Sequence, residues 1–595
     1  MILSPNPGSG KAGLMLIEGG LTLLAAAVAL GWPEVGSGFF ERCERALGRL
    51  ARRQGLAVAV VGFTTLLLRL AVFPVCPIPH PFIPDDFSFL LAGNTFALGR
   101  LTNPTPAMWV HFESIHITMQ PSYTSMYFPA QGLVLAAAKV LTGHPWYGVL
   151  CSGALMCAAI CWMLQAWLPP GWALLGGMLA VLRIGLFSYW TNTYTGGGPI
   201  AALGGALLLG ALPRLLKAPR IRYPILMALG IILLAGTRPY EGLLLCLPVA
   251  ARLGHWLWVG RNRPQPAVLL RLAAAPLALL LGAGAWMGYY NYRAFGSPLT
   301  LPYTVARDTY AVAPYFVWQS PRSEPAYRHA SLRQFYYDNE LYAFQVIRTH
   351  FISQTLLKGV RGILFFSGIA LLPPLLMLRR VFTDRRTRFL LQCTAVMAAG
   401  MVFQIFFIAH YVAPFTAVFY ALGLQAMRHL RLACADGRRV GLGWVRLTVT
   451  LCIVLAGLRL FSGPLHCNAP EWPASAWNSN WYGPAKFGAE RAQIEAALEK
   501  LPGKQLAIVR YSAEHYPLDE WVYNGPDIDG SKVIWAREMD AAADNLELIR
   551  YYPERQVWLV QPNAHPPQAS LYPVPGPTAA PATVTELTAS QAASP

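Results

Sequence analysis

Long apolar runs, broken by short polar connections, set the organisation of this chain. Runs at 55–75, 145–168, 171–190, 197–213, 223–236, 239–256, 267–291, 360–378, 389–409, 411–427 and 447–463 approach the ~20 residues a helix needs to cross hydrocarbon. Lipid offers no partner to unpaired backbone groups, so helices are the predicted form. The alternating polar–apolar segments of a membrane barrel are absent. The pattern predicts an all-α polytopic membrane protein of about 11–12 transmembrane helices. The run 14–32 carries Glu18 and is either a further span or an interfacial helix. The run 126–142 is read as a helix lying along the membrane without crossing it.

Charge fixes the direction of threading. Only 13% of the residues are charged, and the net charge is +18. The cations cluster in short connections: Arg42 to Arg53, Arg214/Lys217/Arg220/Arg222, Arg261/Arg263, Arg379 to Arg388, and Arg428 to Arg446. Cytoplasmic loops carry such clusters, so topology rather than nucleic acid accounts for the charge. The long loops 76–144 and 292–358 then face outward, the second crowded with aromatic residues. No cleavable signal peptide is read, because 14–32 lacks the usual basic leader. The ten cysteines include no CxxC pair; Cys76 and Cys467 fall outside, where a disulfide between them is open.

Composition shifts after residue 463. A helix at Ala489–Lys500 and strands at Gln505–Tyr511, Val533–Ala536 and Gln556–Gln561 predict a small C-terminal extracytoplasmic α/β domain. The reading is therefore an N-terminal segment 1–54, a transmembrane catalytic domain 55–463, the α/β domain 464–565, and a disordered tail 566–595 rich in Pro, Ala, Ser and Thr. No internal repeat of the transporter kind is present.

Candidate chemistry concentrates where the chain leaves the first firm span. Asp85 and Asp86 precede an apolar segment predicted to form an interfacial helix from about Phe87. An acid there either caps the helix or serves as a general base, its pKa adjusted by its neighbour. His111 and Glu113, with His116 and Gln120, are either a polar loop segment or contacts to a phosphorylated substrate. Their spacing matches no strong metal motif, so no metal or other cofactor is indicated. Arg183 lies within an apolar run and either lines a polar cavity or reaches the interface; Tyr189, Asn192 and Tyr194 follow at its mouth. Arg69 is read as snorkelling. Gly196-Gly197-Gly198-Pro199 lacks the lysine of a phosphate loop. Arg238-Pro239-Tyr240-Glu241 combines a cation with a helix start, which suits a phosphate, unless Arg238 and Glu241 simply pair. His410 and Tyr411 stand at a hairpin near the interface. Asp527-Ile528-Asp529-Gly530 reads as a turn.

Asp85-Asp86-Phe87-Ser88-Phe89-Leu90-Leu91-Ala92, Thr102-Asn103-Pro104-Thr105, Tyr127-Phe128-Pro129-Ala130-Gln131-Gly132 and Arg238-Pro239-Tyr240-Glu241-Gly242 resemble motifs of the GT-C-type membrane glycosyltransferases. That superfamily includes the protein O-mannosyltransferases and lipid A aminoarabinose transferases. The likeness covers about residues 55–430. It departs from the pattern at Asp86, where Glu is usual, and at Phe128-Pro129, where two prolines are common. It implies transfer of a sugar from a polyprenyl-phosphate donor to a hydroxyl of a lipid, glycan or protein acceptor, with inversion. Asp85 would be the general base and Asp86 its helper. His111, Glu113, Arg183, Tyr194, Arg238, Glu241, His410 and Tyr411 would contact substrate. It also implies a bacterial inner-membrane location with the site outside. The rival reading is a transporter or flippase of lipid-linked sugars, or a membrane scaffold without catalysis.

Overall fold

The computed structural model describes residues 9–195, 197–259, 264–435, 437–461, 487–573 and 587–588. It is a multi-pass helical membrane protein with a small C-terminal sheet domain, and six of its helices are long and apolar enough to cross a membrane. Helices α1 (Ser9–Gly31), α2 (Ser37–Arg52) and α3 (Gln54–Ala71) open the chain, and α4 (Pro84–Ala97) follows in the first long loop. A two-residue hairpin, β1 (Ile117–Thr118) with β2 (Thr124–Ser125), precedes α5 (Pro129–Thr142). Next come α6 (Trp146–Leu164), α7 (Pro170–Ala180), α8 (Tyr189–Asn192), α9 (Gly198–Lys217), α10 (Arg222–Ala235), α11 (Pro239–Val259) and α12 (Pro266–Phe295). The second long loop holds α13 (Pro302–Tyr310), α14 (Ala330–Arg333) and α15 (Glu340–Thr349); α16 (Phe351–Ser367), α17 (Leu378–Thr383), α18 (Arg388–Phe403), α19 (Thr416–Leu430) and α20 (Val440–Leu460) complete the helical body.

The predicted spans sit on these helices, with local departures. The run expected to continue to 378 ends as α-helix at Ser367, where Gly368 turns the chain at φ +57°, and prolines 373 and 374 then start a tighter turn. The run 171–190 breaks after Ala180 into a wider turn over Val181–Gly185. The run 389–409 stops as helix at Phe403. Helices α6 and α9 are largely buried in the centre of the body, whereas α12 leaves most of its apolar surface uncovered by protein, as a lipid-facing helix does.

Two buried arginines bind the body together. Arg183, in the wide turn, pairs with Glu18 of α1 at 3.0 Å, and the same carboxylate oxygen accepts the N–H groups of Ile369 and Ala370. The expectation that Arg183 lines a substrate cavity is therefore not met: it is spent on packing α1 against the rest. Arg69 does not snorkel either. It is fully buried and donates to the carbonyls of Cys76 and Pro77 and to Asn192 Oδ1, with Trp146 beneath its guanidinium. These bonds fold the chain back on itself directly after α3. Cys76 is buried and pairs with no cysteine among the described residues; Cys467 lies outside them, as do Arg261, Arg263 and Gly196.

Helix α4 starts at Pro84, three residues earlier than expected, because a proline at the first helical position needs no N–H partner. Nor is it a half-exposed interfacial helix, since Asp86 to Gly93 are all buried. Small residues let α5 approach it: a Cβ on Gly132 would meet that of Ala92 at 2.7 Å, and one on Gly93 would meet that of Leu135 at 2.8 Å. The other side of α4 is covered by the C-terminal domain, where Tyr523 stacks on Phe87 at 4.7 Å and Asn94 donates to the Tyr523 hydroxyl.

In that domain β3 (Lys504–Val509) runs parallel to both β4 (Val533–Arg537) and β5 (Arg555–Gln561). Antiparallel β6 (Gln568–Leu571) and β7 (Leu587–Thr588) extend the sheet beyond β5. The three expected strands are present. The segment expected to lack structure from residue 566 instead supplies the fourth and fifth, with Ala569 packed into the apolar layer beneath the sheet. Asp527–Gly530 forms the expected turn, in which Asp527 Oδ1 accepts the Gly530 N–H.

Removing one partner of a buried ion pair leaves an uncompensated charge costing about 3–5 kcal/mol. Glu18→Gln should accordingly lower the thermal midpoint of the purified protein well below wild type, and Glu18→Gln with Arg183→Met should recover most of the loss. An unchanged midpoint in the single variant would show that the pair does not hold α1.

Candidate active site

The site is built around the first turn of α4. Asp85 is met there by two groups from the loop between α4 and α5. Tyr127 donates its hydroxyl to Asp85 Oδ1 at 2.5 Å, and His116 Nδ1 lies 3.3 Å from Oδ2. The same nitrogen is 3.0 Å from the Tyr127 oxygen, which closes a ring of three polar groups. His116 adopts φ +65°, a conformation uncommon for a residue with a side chain. The surroundings hold it there. Its carbonyl accepts the Ser88 hydroxyl and the Met126 N–H, its own N–H points at the Tyr336 hydroxyl, and Phe335 packs edge-on to its ring. Backbone held in a sparse region in this way recurs where a side chain must be aimed.

Burial works to raise the Asp85 carboxyl, but His116, the Tyr127 hydroxyl and the more distant Arg238 outweigh it and hold the group below its ordinary range. Asp85 is therefore an anion across neutral pH. Asp86 behaves oppositely. Its carboxyl turns to the backbone, where Oδ1 accepts the Tyr194 N–H at 2.7 Å. Burial, reinforced by Asp85, pushes it up to about 8, against the Tyr194 bond. At neutral pH it is a neutral acid tying the start of α4 to the segment before α9. The paired acids thus have different tasks.

Beside Tyr127 the packing leaves a narrow crevice, too tight in this structure to admit a water, walled by Phe89, Tyr127, Phe128, Gln131, Gly197, Thr237, Arg238 and Tyr303. Arg238 is its cation. The residue precedes Pro239, which starts α11, so Arg238 stands at a helix N-terminus facing the space between α10 and α11. Tyr411 lies under its guanidinium at 4.6 Å, and its buried Nε has no hydrogen-bond partner. No ion pair joins it to Glu241, whose carboxylate is approached by Gln404 at 3.5 Å. Burial disfavours the Arg238 charge, but Tyr303, Glu241 and Tyr411 hold it in the charged form. A buried cation with an unpartnered donor, beside this crevice, is suited to an anionic ligand.

The structure brings together only part of the expected set. Of that set Arg238 alone lines the crevice; Asp85 is joined to its wall through Tyr127, and Tyr411 lies under the Arg238 guanidinium. His410 stands one layer behind, its Nδ1 2.8 Å from the Tyr189 hydroxyl; burial and Arg238 keep it neutral. Tyr194 braces Asp86, and its hydroxyl donates to the Pro79 carbonyl. His111 and Glu113 are elsewhere. His111 Nδ1 faces the Arg537 carbonyl, and Glu113 accepts from Tyr310 at 2.7 Å with Arg328 and His329 at 3.6 Å. Both are buried where the first loop, the second loop and the C-terminal domain meet, because the loop carrying them folds under that domain. Three groups at the centre, Tyr127, Gln131 and Tyr303, were not among the expected site residues. Tyr127 and Gln131 lie within the Tyr127–Gly132 motif, whose aromatic and amide groups were the available signal.

Among the described residues no cluster of three or more His, Cys, Asp or Glu is placed to hold a metal ion. No family model and no curated protein matches the sequence. Among solved structures, ArnT from Cupriavidus metallidurans bound to undecaprenyl phosphate is similar at 13% identity and TM-score 0.46, covering 85% of this chain and 92% of that one. An Archaeoglobus fulgidus oligosaccharyltransferase tethered to an acceptor peptide is similar at 13% identity and TM-score 0.43, covering 85% of this chain and 68% of that one. Its counterpart with an inhibitory peptide and a dolichol-phosphate gives 13% identity and TM-score 0.38 over 85% and 69%.

The opposite environments of the two acids predict opposite pH behaviour. Folding favours the protonated form of Asp86, so its contribution weakens as pH rises from its unfolded value through about 8. Asp86→Asn keeps an acceptor for the Tyr194 N–H and cannot ionise. Its thermal midpoint should gain on wild type between pH 5 and pH 8, and parallel curves for the two proteins would refute the assignment.

Proposed function

We propose that the chain is a glycosyltransferase that moves a sugar from a polyprenyl-phosphate donor to an acceptor hydroxyl. The observation that carries this reading is an ionised, part-buried carboxylate, Asp85, joined through Tyr127 to the crevice whose wall holds a buried guanidinium with an unpartnered donor, Arg238. The carboxylate takes the proton from the acceptor oxygen, which attacks the anomeric carbon. The bond to the phosphate breaks on the opposite face, so configuration inverts. The departing phosphate carries its charge to Arg238 and needs no proton. Tyr127 and His116 fix the direction of the carboxylate and keep it ionised. Tyr303 and Phe128, in tilted contact at 5.4 Å, form an aromatic wall for the sugar. The motif resemblance supports the same chemistry. The basic connections support placing the two long loops and the sheet domain on the extracytoplasmic face of a bacterial inner membrane. The acceptor, whether lipid, glycan or protein, is a hydroxyl compound approaching from that face.

A transporter of the same lipid-linked sugar is the second reading. It is weakened by the position of Asp85, at the start of a loop helix rather than within a span.

Purified protein given polyprenyl-phosphate sugars and a mixture of hydroxyl acceptors should transfer sugar. Asp85→Asn should reduce the rate by about 10²–10⁴ while still binding the donor. Arg238→Gln should instead weaken donor binding, by on the order of 10–100-fold for a lost charge-assisted bond. Full transfer by Asp85→Asn would exclude the mechanism. A second measurement concerns Tyr127→Phe, which removes one of the groups that lower the Asp85 carboxyl. The acid limb of its rate–pH profile should move to higher pH, and an unmoved limb would mean that Tyr127 does not set the ionisation.

A further inference from the structure

Gln131 is the third residue of α5, in the segment Tyr127-Phe128-Pro129-Ala130-Gln131-Gly132. Its neighbours there are aromatic or small, and an amide among them is costly to bury unless both of its ends are bonded. It is 3% exposed. One end is used: the side-chain N–H donates to the Tyr194 carbonyl at 3.2 Å. That bond fixes which way the amide lies and leaves its oxygen buried with no hydrogen-bond partner. An acceptor left in that state is unfavourable and uncommon in folded proteins. Water does not satisfy it from the crevice that Gln131 lines, which is too tight to admit one.

The fold sets this unused acceptor on the same wall as the unused donor of Arg238. The first turn of α5 docks against the junction of α10 and α11: the Ala130 N–H donates to the Gly236 carbonyl at 3.0 Å, and a Cβ on Gly236 would meet that of Ala130 at 3.0 Å. Gly197, at φ +60°, lies against both sides, where an added Cβ would stand 3.2 Å from Thr237 and 3.9 Å from the Gln131 Cβ. Gln131 and Arg238 thus line one crevice, and no hydrogen bond joins them. Such a pair suits a ligand that carries an oxygen anion for the guanidinium and, close beside it, a hydroxyl for the amide. A phosphodiester alone has no donor for Gln131, and a prenyl tail has neither group. A glycosyl phosphate carries the two on neighbouring carbons. Three walls of the crevice, Phe89, Phe128 and Tyr303, are rings, and side-chain turning of the kind needed to admit a sugar commonly accompanies binding.

We propose that Gln131 is a specificity residue, whose side-chain oxygen accepts the hydroxyl on the carbon next to the anomeric centre of the donor sugar. The statement rests on the glycosyltransferase reading for the identity of the ligand and adds to it the class of sugar: one that keeps this hydroxyl. A site whose buried group is completed by a substrate hydroxyl discriminates strongly against the analogue that lacks it. Bracing α5 through Tyr194 accounts for the amide nitrogen of Gln131 and leaves its oxygen unexplained.

The test uses full-length protein in detergent, given the decaprenyl phosphates of glucose, mannose and galactose, with binding and transfer both measured. Each compound that binds is compared with its 2-deoxy and 4-deoxy analogues. Wild type should bind at least one parent roughly 10–100-fold more tightly than its 2-deoxy analogue. Gln131→Met should bring that ratio to within about threefold and leave the ratio of parent to 4-deoxy analogue as in wild type. Gln131→Leu gives the same readout should the methionine variant fail to fold. A residue that only braces α5 would weaken all the ligands alike, and ratios unmoved by the substitution would overturn the proposal. Wild-type indifference to the 2-hydroxyl would overturn it without any variant, as would failure of all three parents to bind. The two readings separate in this experiment. Transfer of sugar with a ratio unmoved by Gln131→Met would remove the role of Gln131 and leave the glycosyltransferase. Discrimination that depends on Gln131 in binding, with no transfer to any hydroxyl acceptor, would remove the transfer and leave the sugar-phosphate site.

Discussion

An anion enclosed by aromatic rings persists only where donors converge on it, and at Asp85 those donors arrive from separate parts of the chain. Helix α4 presents the carboxylate, the following loop returns Tyr127 and His116, and the junction of α10 and α11 adds the field of Arg238. None of these is near another in sequence except through the fold. Much of the architecture nearby reads as a means of keeping them in register. Arg69 turns the chain after α3, Asp86 ties α4 to the segment before α9, and Gly93 and Gly132 let α4 and α5 meet closely enough for Tyr127 to reach Asp85.

A second buried charge binds the loops to the sheet domain. Arg537, at the end of β4, is in close contact with Glu520 of its own domain, donates to the Glu113 carbonyl of the first loop, and reaches the Ser331 hydroxyl of the second. Ser114 donates to the same Glu520 oxygen, Oε2, that Arg537 contacts. One guanidinium with a planar set of donors thus joins three segments, a task for which a lysine's point charge is poorly shaped. The second loop has its own buried pair, Arg307 with Glu340 at 2.7 Å, near the strand-like contact of Phe316 with Gln404.

The membrane part was readable because its signal is strong: apolar runs of spanning length leave the backbone one regular form. The C-terminal strands were readable because they are short, β-branched and apolar. Reading failed where a residue type admits several partners. Arg183 in an apolar run is equally an ion-pair member or a cavity wall, and only the distant Glu18 decides. His111 and Glu113 are polar loop residues in either case, and their partners Arg537, Tyr310 and His329 lie roughly 200 to 430 positions away. The division of labour between Asp85 and Asp86 was suggested by motif resemblance, whereas its physical cause, donors on one and backbone on the other, exists only in three dimensions.

The Arg537 contacts also impose an order on maturation. The carboxylate, its tyrosine and its histidine all precede α5, yet the domain that presses on α4 and clasps both loops follows the last helix of the body. The contacts that clasp the two loops can form only once both the helical body and the sheet domain have been made.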